Sequence, residues 1–217
     1  MRPTDQLQNL VSDDWQAATR HPFTDALAAG TLEPEKMAGY LVQDYMFLES
    51  FVRLLASAVA HAPSLQDALP GAQFLGLVTG SENTYFRRAM DALGAAPDDV
   101  APATPTAAFR GLMHEAAASG RYEQMVAVLT VAEWSYLDWA TPHAPPRPEL
   151  PFYFSEWIEL HSGDGFEGVV AWLRGQLDTV WEGLDMDERR AVEATFARAT
   201  RLERDFFDAA WAGFPRP

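Results

Sequence analysis

The residues Met125 to Ala140, MVAVLTVAEWSYLDWA, decide the fold. The run is almost entirely apolar, covers about four helical turns and holds no Gly or Pro. An apolar run of this length without breakers reads as a buried helix, since strands stop at about four to eight residues. Two acids interrupt it, Glu133 deep inside and Asp138 near the C-terminal end. An ionised carboxylate buried without a partner is costly, so such a group finds hydrogen bonds, a cation or a proton. Tyr136 lies one turn beyond Glu133 on the same face. Glu133 is therefore either a structural acid bonded to a Tyr or Arg of the next helix, or part of a pocket wall.

The rest of the composition fits such a core. The 217 residues suit one domain spanning 1–217, and 48% hydrophobic with 12% aromatic residues is a globular balance. The net charge of −15, from 31 acids against 16 bases, argues against nucleic acid or an anionic membrane as partner. Cysteine is absent, so the chain has no disulfide, no thiolate nucleophile and no thiolate metal site. The opening MRPTDQLQNLVSDDW has neither a signal-peptide core nor a transit pattern, and charges or prolines cut every apolar run below membrane-spanning length. A cytoplasmic protein is the expectation.

On either side of the central run the chain is a succession of helical patterns. The segment before His21 reads as a helix capped by Thr4 or Ser12, with Leu10, Val11, Trp15 and Ala18 turned inward. His21-Pro22-Phe23 breaks it, and a short helix continues to Gly30. The next starts at Thr31-Leu32-Glu33-Pro34-Glu35, with Pro34 early, where its missing N–H costs nothing. From about Glu35 to His61 it places Tyr40, Asp44, Phe47, Leu48, Phe51 and Leu55 on one face. Asp44 is thus a second acid among aromatics, with an Arg such as Arg53 as its plain structural partner.

Pro63, Pro70 and Gly71 read as a connection, and Phe74 to Leu93 as a helix carrying Leu77, Glu82, Tyr85, Phe86 and Met90. A loop from Ala95 to Thr106 precedes a helix over Ala107–Ser119, and the central helix begins near Tyr122. After the proline-rich THAPPRPELP, a short helix from Phe152 to His161 carries Phe154, Trp157 and Ile158. Ser162-Gly163-Asp164-Gly165 reads as a turn before a long helix over Phe166–Leu184. Asp185-Met186-Asp187-Glu188 caps the last helix, whose face holds Phe196, Ala199, Glu203, Phe206, Phe207 and Ala210. No strand alternation and no repeat is present, so the fold class is an all-α, single-domain bundle of about seven to nine helices. Asp44, Glu133, His161 and Glu203 fall on the apolar faces of four separate helices, which suggests a shared cavity.

Several motifs together carry a resemblance. They are HPF at His21–Phe23, GTL at Gly30–Leu32, YLVQDYMFLESF at Tyr40–Phe51, EWSYLDWA from Glu133, FYFSEWIELHSGDGF at Phe152–Phe166 and RLERDFFDAAW at Arg201–Trp211. In this order the chain resembles the TenA (thiaminase II) family, which has a haem oxygenase-like helical fold. The thiaminase branch has a nucleophilic Cys in a P-C-Y-W-x-Y segment; here Ala132 falls at that place and Glu133 follows. The resemblance is therefore to the branch without the thiol, with Glu133 as its hallmark. It implies thiamin salvage, by hydrolysis of amino- or N-formylaminomethylpyrimidines toward hydroxymethylpyrimidine. His161 stands where the family usually has Tyr, and Phe109 where the thiaminase branch has another Tyr, so the resemblance does not extend to the detail of the substrate. The resemblance further implies a homodimer or homotetramer and no cofactor.

A 4-aminopyrimidine offers an exocyclic amine beside a basic ring nitrogen, and a carboxylate accepts from both. By resemblance Glu203 is the catalytic acid or base and Asp44 the substrate anchor; Glu133 shares the catalytic assignment, with Tyr136 orienting it. Phe47, Tyr136 and Phe207 are expected to stack on or line the ring, and His161 is either a satisfied core histidine or a hydrogen bond to substrate or carboxylate. Three other readings compete. A diiron oxygenase would recruit Glu82, Glu133 and His161, but the last helix has no His to complete the set. A haem protein would need a better proximal ligand than His21, which precedes Pro. A pyrimidine-binding or regulatory protein would keep the pocket and lose the chemistry. No metal site is expected.

Overall fold

The computed structural model describes residues 1–97 and 100–214; residues 98 and 99 of the expected loop Ala95 to Thr106, and 215–217, lie outside the described residues. Eleven α-helices follow one another: α1 (Pro3–Leu10), α2 (Ser12–Thr19), α3 (Pro22–Ala29), α4 (Pro34–His61), α5 (Leu65–Leu77), α6 (Asn83–Ala92), α7 (Thr104–Ala118), α8 (Tyr122–Ala140), α9 (Phe152–Leu160), α10 (Gly163–Trp181) and α11 (Met186–Ala212). Two pairs are nearly continuous. Only Val11 separates α1 from α2, and a π-turn over Val78–Glu82 joins α5 to α6, which leaves nine rods of an all-α bundle among the described residues.

Helix α8 is the axis of the bundle. It packs against α10, α11, α4, α7 and α2, and Met125 to Ala132 is buried without a break. A helix apolar all round is stable only when covered on every side. The two longest helices, α4 and α11, instead carry one apolar stripe each. On α11 the buried residues Val192, Phe196, Ala199, Glu203, Phe206 and Ala210 recur every three or four positions, which fixes the direction of Glu203 inward by period alone. On α4, Met37, Tyr40, Phe47, Phe51, Leu54 and Ala58 do the same, and Asp44 falls in that stripe. The buried apolar side chains of all these helices form one connected cluster.

Local chemistry sets the helix ends. Asp185 caps α11, accepting from the N–H groups of Asp187 and Glu188 at 2.9 Å each, while Glu188 accepts from the Asp185 N–H at 2.9 Å. His21 caps α3: its Nδ1 accepts from the Phe23 N–H at 3.0 Å, so the proton sits on Nε2, 3.2 Å from Asp208 of α11. Gly30 ends α3 at φ 72°, a left-handed conformation that an L side chain resists. The side chain of Gln43 clamps the segment before α7, donating to the Ala101 carbonyl and accepting from the Ala103 N–H at 2.8 Å.

Several local expectations differ from the structure. Pro70 and Gly71 lie inside α5, not in a connection; Pro70 is the sixth residue of the helix and gives up the bond its N–H would make to the Gln66 carbonyl. The Gly71 position is one of close approach: a Cβ there would stand 2.8 Å from Trp172 of α10. Helix α10 begins at Gly163, so SGDG opens the helix where a turn was expected. Leu10 is exposed, and Leu7 and Thr4 face the core in its place, because the break at Val11 resets the helical phase. Arg53 pairs with Glu49 one turn away on the surface of its own helix and never meets Asp44.

Candidate active site

Helices α4, α6, α7, α8, α9 and α11 and the π-turn line a narrow hollow with about 540 Å³ of non-atom space, part of it open solvent. Asp44 and Phe47 reach it from α4, Glu133 and Tyr136 from α8, His161 from the end of α9, and Glu203 from α11. Six residues singled out in the sequence therefore meet in one hollow. Phe207 does not: it lies behind the wall, stacked on Tyr40 at 6.2 Å with ring planes 8° apart and 5.8 Å from Tyr136. Phe206 lines the cavity instead. Both phenylalanines are on the buried stripe of α11, and only the crossing of that helix with α4 decides which one turns into the hollow.

The aromatic wall is interlocked. Phe47 meets Phe206 edge-on at 4.9 Å and Phe109 at 5.6 Å, and Trp157 stacks on Tyr85 at 5.0 Å. The Tyr85 hydroxyl donates to the Tyr153 carbonyl at 2.6 Å, which ties α6 to α9. Trp157, Phe86, Phe206 and Met113 join the wall without having been assigned to it in the sequence. Their signal was ordinary core periodicity, which does not separate a core face from a cavity face.

Glu82 is the functional candidate that the sequence placed on a helix face and offered only to a metal set. The π-turn brings it to the cavity as a fourth carboxyl beside Asp44, Glu133 and Glu203. Among the described residues no Lys or Arg lines the hollow. Glu203 is only 3% exposed; Asp44, Glu82 and Glu133 are half-buried, their accessible surface opening onto the cavity, so protein walls still surround them. Glu82, Glu133 and Glu203 make no hydrogen bond among the described residues, and Asp44 Oδ2 is buried without a partner.

Desolvation governs the protonation of all four. Burial pushes Asp44 up to about 7, while the neighbouring Tyr40 hydroxyl pulls the other way. Burial and then the charge of Asp44 push Glu82 up to about 8. Glu133 lies well above the usual carboxylate range, first through burial and then through Glu82, Glu203 and Asp44; Glu203 does so through burial and Asp44. Near pH 7 these groups hold fewer charges than carboxyls.

The Tyr136 hydroxyl does not orient Glu133 through a hydrogen bond. It bonds the Tyr40 hydroxyl at 2.7 Å, and burial holds both phenols well above their ordinary value. His161 has a fixed tautomer: a carbonyl only accepts, so Nδ1–H donates to Trp157 O at 2.8 Å and Nε2 keeps its lone pair. Burial lowers it to about 4, so the ring is neutral near pH 7. Ala132 lines the cavity beside Glu133. Among the described residues no three His, Asp or Glu side chains are placed to hold a metal ion, so Glu82, Glu133 and His161 do not form the set a diiron site needs.

The fold and the hollow define an all-α bundle built around an acidic cavity with aromatic walls. The chain belongs to the TENA/THI-4/PQQC family, which it matches over residues 9–213. It is 29% identical over 202 residues to the aminopyrimidine aminohydrolase of Halalkalibacterium halodurans, covering 91% of this chain and 90% of that one. To the aminopyrimidine aminohydrolase of Helicobacter pylori it is 24% identical over 216 residues, covering 97% and 99%. The TenA homologue of P. horikoshii OT3 superposes with a TM-score of 0.85 at 21% identity, over 98% of this chain and 100% of that one. No helix of the described residues is long and apolar enough to cross a membrane.

Proposed function

We propose that this chain is a thiamin-salvage hydrolase, converting amino- or N-formylaminomethylpyrimidine breakdown products toward hydroxymethylpyrimidine. The observation that carries the reading is the presence of Asp44 and Glu203 in one aromatic cavity with no Lys or Arg among its described lining residues. The relatives in H. halodurans and H. pylori, both named aminopyrimidine aminohydrolase, support the same substrate class.

In this reading Asp44 accepts from one edge of the pyrimidine, with its unpartnered Oδ2 as the acceptor, and Phe47 and Tyr136 hold the ring plane. Glu203 exchanges the proton at the reacting edge, and Glu133 shares that task. The chain has no thiol, so water is the nucleophile: its oxygen bonds the exocyclic methylene, the C–N bond breaks, and ammonia or formamide leaves. A carboxyl of raised pKa suits both directions of proton transfer near neutral pH. Residues 1–217 act as one domain, in the cytoplasm and as a homo-oligomer. The family resemblance supports the assembly, and Leu65, Leu69 and Leu77 of α5 are exposed apolar surface that an assembly would cover.

Incubation with thiamin, aminomethylpyrimidine and its N-formyl derivative, with products followed by mass, tests the activity. Hydroxymethylpyrimidine is expected from one or both aminomethyl compounds. The absence of Cys at the place of Ala132 favours one second reading, a pyrimidine-binding protein without turnover. Tight binding of aminomethylpyrimidine with no product over long incubation would select it.

A further inference from the structure

Large apolar side chains that stand exposed among the described residues gather on one helix: Leu65, Leu69 and Leu77 all belong to α5. The others are scattered, Met1 and Leu10 at the start of the chain and Met186 and Trp211 at the two ends of α11. Leu65 is 73% and Leu69 43% exposed, and helical period puts Ala72 and Gly76, both exposed, on the same line. The opposite side of α5 is the packed one. Gly71 and Phe74 are buried there, and the Trp172 indole of α10 donates to the Asp67 carbonyl at 3.1 Å. A Cβ at Gly71 would stand 2.8 Å from Trp172, whereas one at Gly76 would meet nothing within 4 Å. Gly inside a helix costs about 1 kcal/mol relative to Ala, and no contact within the chain calls for it at Gly76.

The same stretch is almost free of charge. From Leu65 to Ser81 Asp67 is the one charged residue, in a chain that is 22% charged and carries a net charge of −15. Asp67 belongs to the packed side, where its carboxylate accepts from the Ser64 hydroxyl at 2.6 Å and from the Gln176 amide of α10 at 3.1 Å. This choice of residues discriminates between partners. A basic partner would be drawn to the acidic remainder of the surface and would find nothing to pair with on α5. A second copy of this chain carries the same −15 and is least repelled where the charge is missing. A helix face can also meet its own copy about a two-fold axis, the commonest symmetry of homo-oligomers.

We propose that two copies of this chain meet through α5, helix against helix, with Leu65 and Leu69 at the centre of the contact, and that the contact continues over the π-turn. The inference rests on the homo-oligomer of the reading above and locates its interface. Leu77 is the last residue of α5, and the turn that follows it, Val78–Glu82, carries Glu82 to the hollow. Thr79, Gly80 and Ser81 of that turn are exposed. Its side-chain ties are local: the Thr79 and Ser81 hydroxyls bond back to the carbonyls of Leu75 and Leu77 at 2.8 and 3.3 Å. Such turns are rare, occur singly and recur at functional sites. A second copy against Leu77 and Gly80 steadies from outside a segment that forms part of the wall of the hollow within, so assembly and the cavity are coupled through the turn.

Sedimentation velocity of the full chain over about 1–100 μM tests the contact, with Leu69→Lys, the double variant Leu65→Glu with Leu69→Glu, and Leu10→Glu on α1 as control. The unmodified chain and the control are expected to assemble alike. Both α5 variants should weaken assembly at least about 100-fold with an unchanged circular dichroism spectrum, since the replaced side chains are exposed in the single copy. Leu69→Lys does so while lowering the net negative charge, which separates loss of the apolar contact from added repulsion. Raising salt from about 0.05 to 0.5 M should tighten assembly, because screening acts on the repulsion between copies. Amide hydrogen exchange over residues 76–82 should be at least about tenfold faster in the dissociated variant. Variants that still assemble, a control that dissociates as readily, or assembly weakened by salt overturns the contact, and unchanged exchange overturns its extension over the turn. A chain that stays monomeric at about 100 μM overturns the homo-oligomer as well, whereas an oligomer indifferent to Leu65 and Leu69 overturns only its location.

Discussion

Replacing Asp44 with Asn should stabilise the protein at neutral and alkaline pH and leave it almost unchanged in acid. Asp44 sits in the cavity with Oδ2 unpartnered, and burial raises it from 3.8 to about 7. Below pH 3.8 the carboxyl is protonated in both states and contributes nothing to the pH dependence. Between 3.8 and about 7 the folded state keeps a proton that the unfolded state has released, so stability falls as pH rises. Above 7 both states are ionised and the whole cost remains, about 4 kcal/mol at about 1.4 kcal/mol per pH unit of displacement. Water entering the cavity reduces this, so about 2–4 kcal/mol is the expected gain for Asp44→Asn at pH 8, against roughly zero at pH 4. Removing the charge of Asp44 also relaxes Glu82, Glu133 and Glu203, on which it acts in the same direction. Urea unfolding of both chains at pH 4, 6 and 8, with the slope checked for constancy, measures the difference. A gap between the two chains that stayed the same at every pH would refute the desolvated-carboxyl account of the cavity.

Four other perturbations follow from the same structure. Glu203→Gln should lower turnover by about 10²–10⁴-fold while leaving the melting temperature at neutral pH no lower, since it removes a desolvated carboxyl, and retained activity would remove Glu203 from the chemistry. Tyr136→Phe breaks the 2.7 Å bond to Tyr40 and strands a buried hydroxyl, at a cost of about 1–2 kcal/mol, read as a fall in Tm of about 3–6 °C. Gly71→Val places a side chain 2.8 Å from Trp172 and 2.9 Å from Val59, and should cost about 1–3 kcal/mol in urea unfolding. Asp185→Ala removes two cap hydrogen bonds from α11 and should cost about 1 kcal/mol, whereas an unchanged midpoint would show the cap to be redundant.

Much of the architecture was legible because it follows from periodicity and breakers. An apolar run too long for a strand had to be a covered helix, and α8 is that helix, buried from Met125 to Ala132. The three- and four-residue spacing on α4 and α11 pointed Asp44 and Glu203 inward before any contact was known. The Asp-Met-Asp-Glu cap before α11 was equally plain, since its hydrogen bonds are local. Where local signals conflict, the sequence was a poor guide: SGDG reads as a turn and opens α10, and Pro70 reads as a break and lies within α5. Packing against neighbouring helices outweighs the small local preferences of such segments.

The cavity itself divides the same way. Sequence alone determined that carboxyls on separate helices face inward, because helical period fixes direction, and that no thiol takes part, because the chain has no Cys. Only the tertiary structure decided that Phe206 and not Phe207 turns into the hollow, that Tyr136 bonds Tyr40 and not Glu133, and that Glu82 joins the acids by way of a π-turn. Those outcomes depend on how helices cross and on where one extra residue enters a turn, and both are set by contacts between segments far apart in the chain.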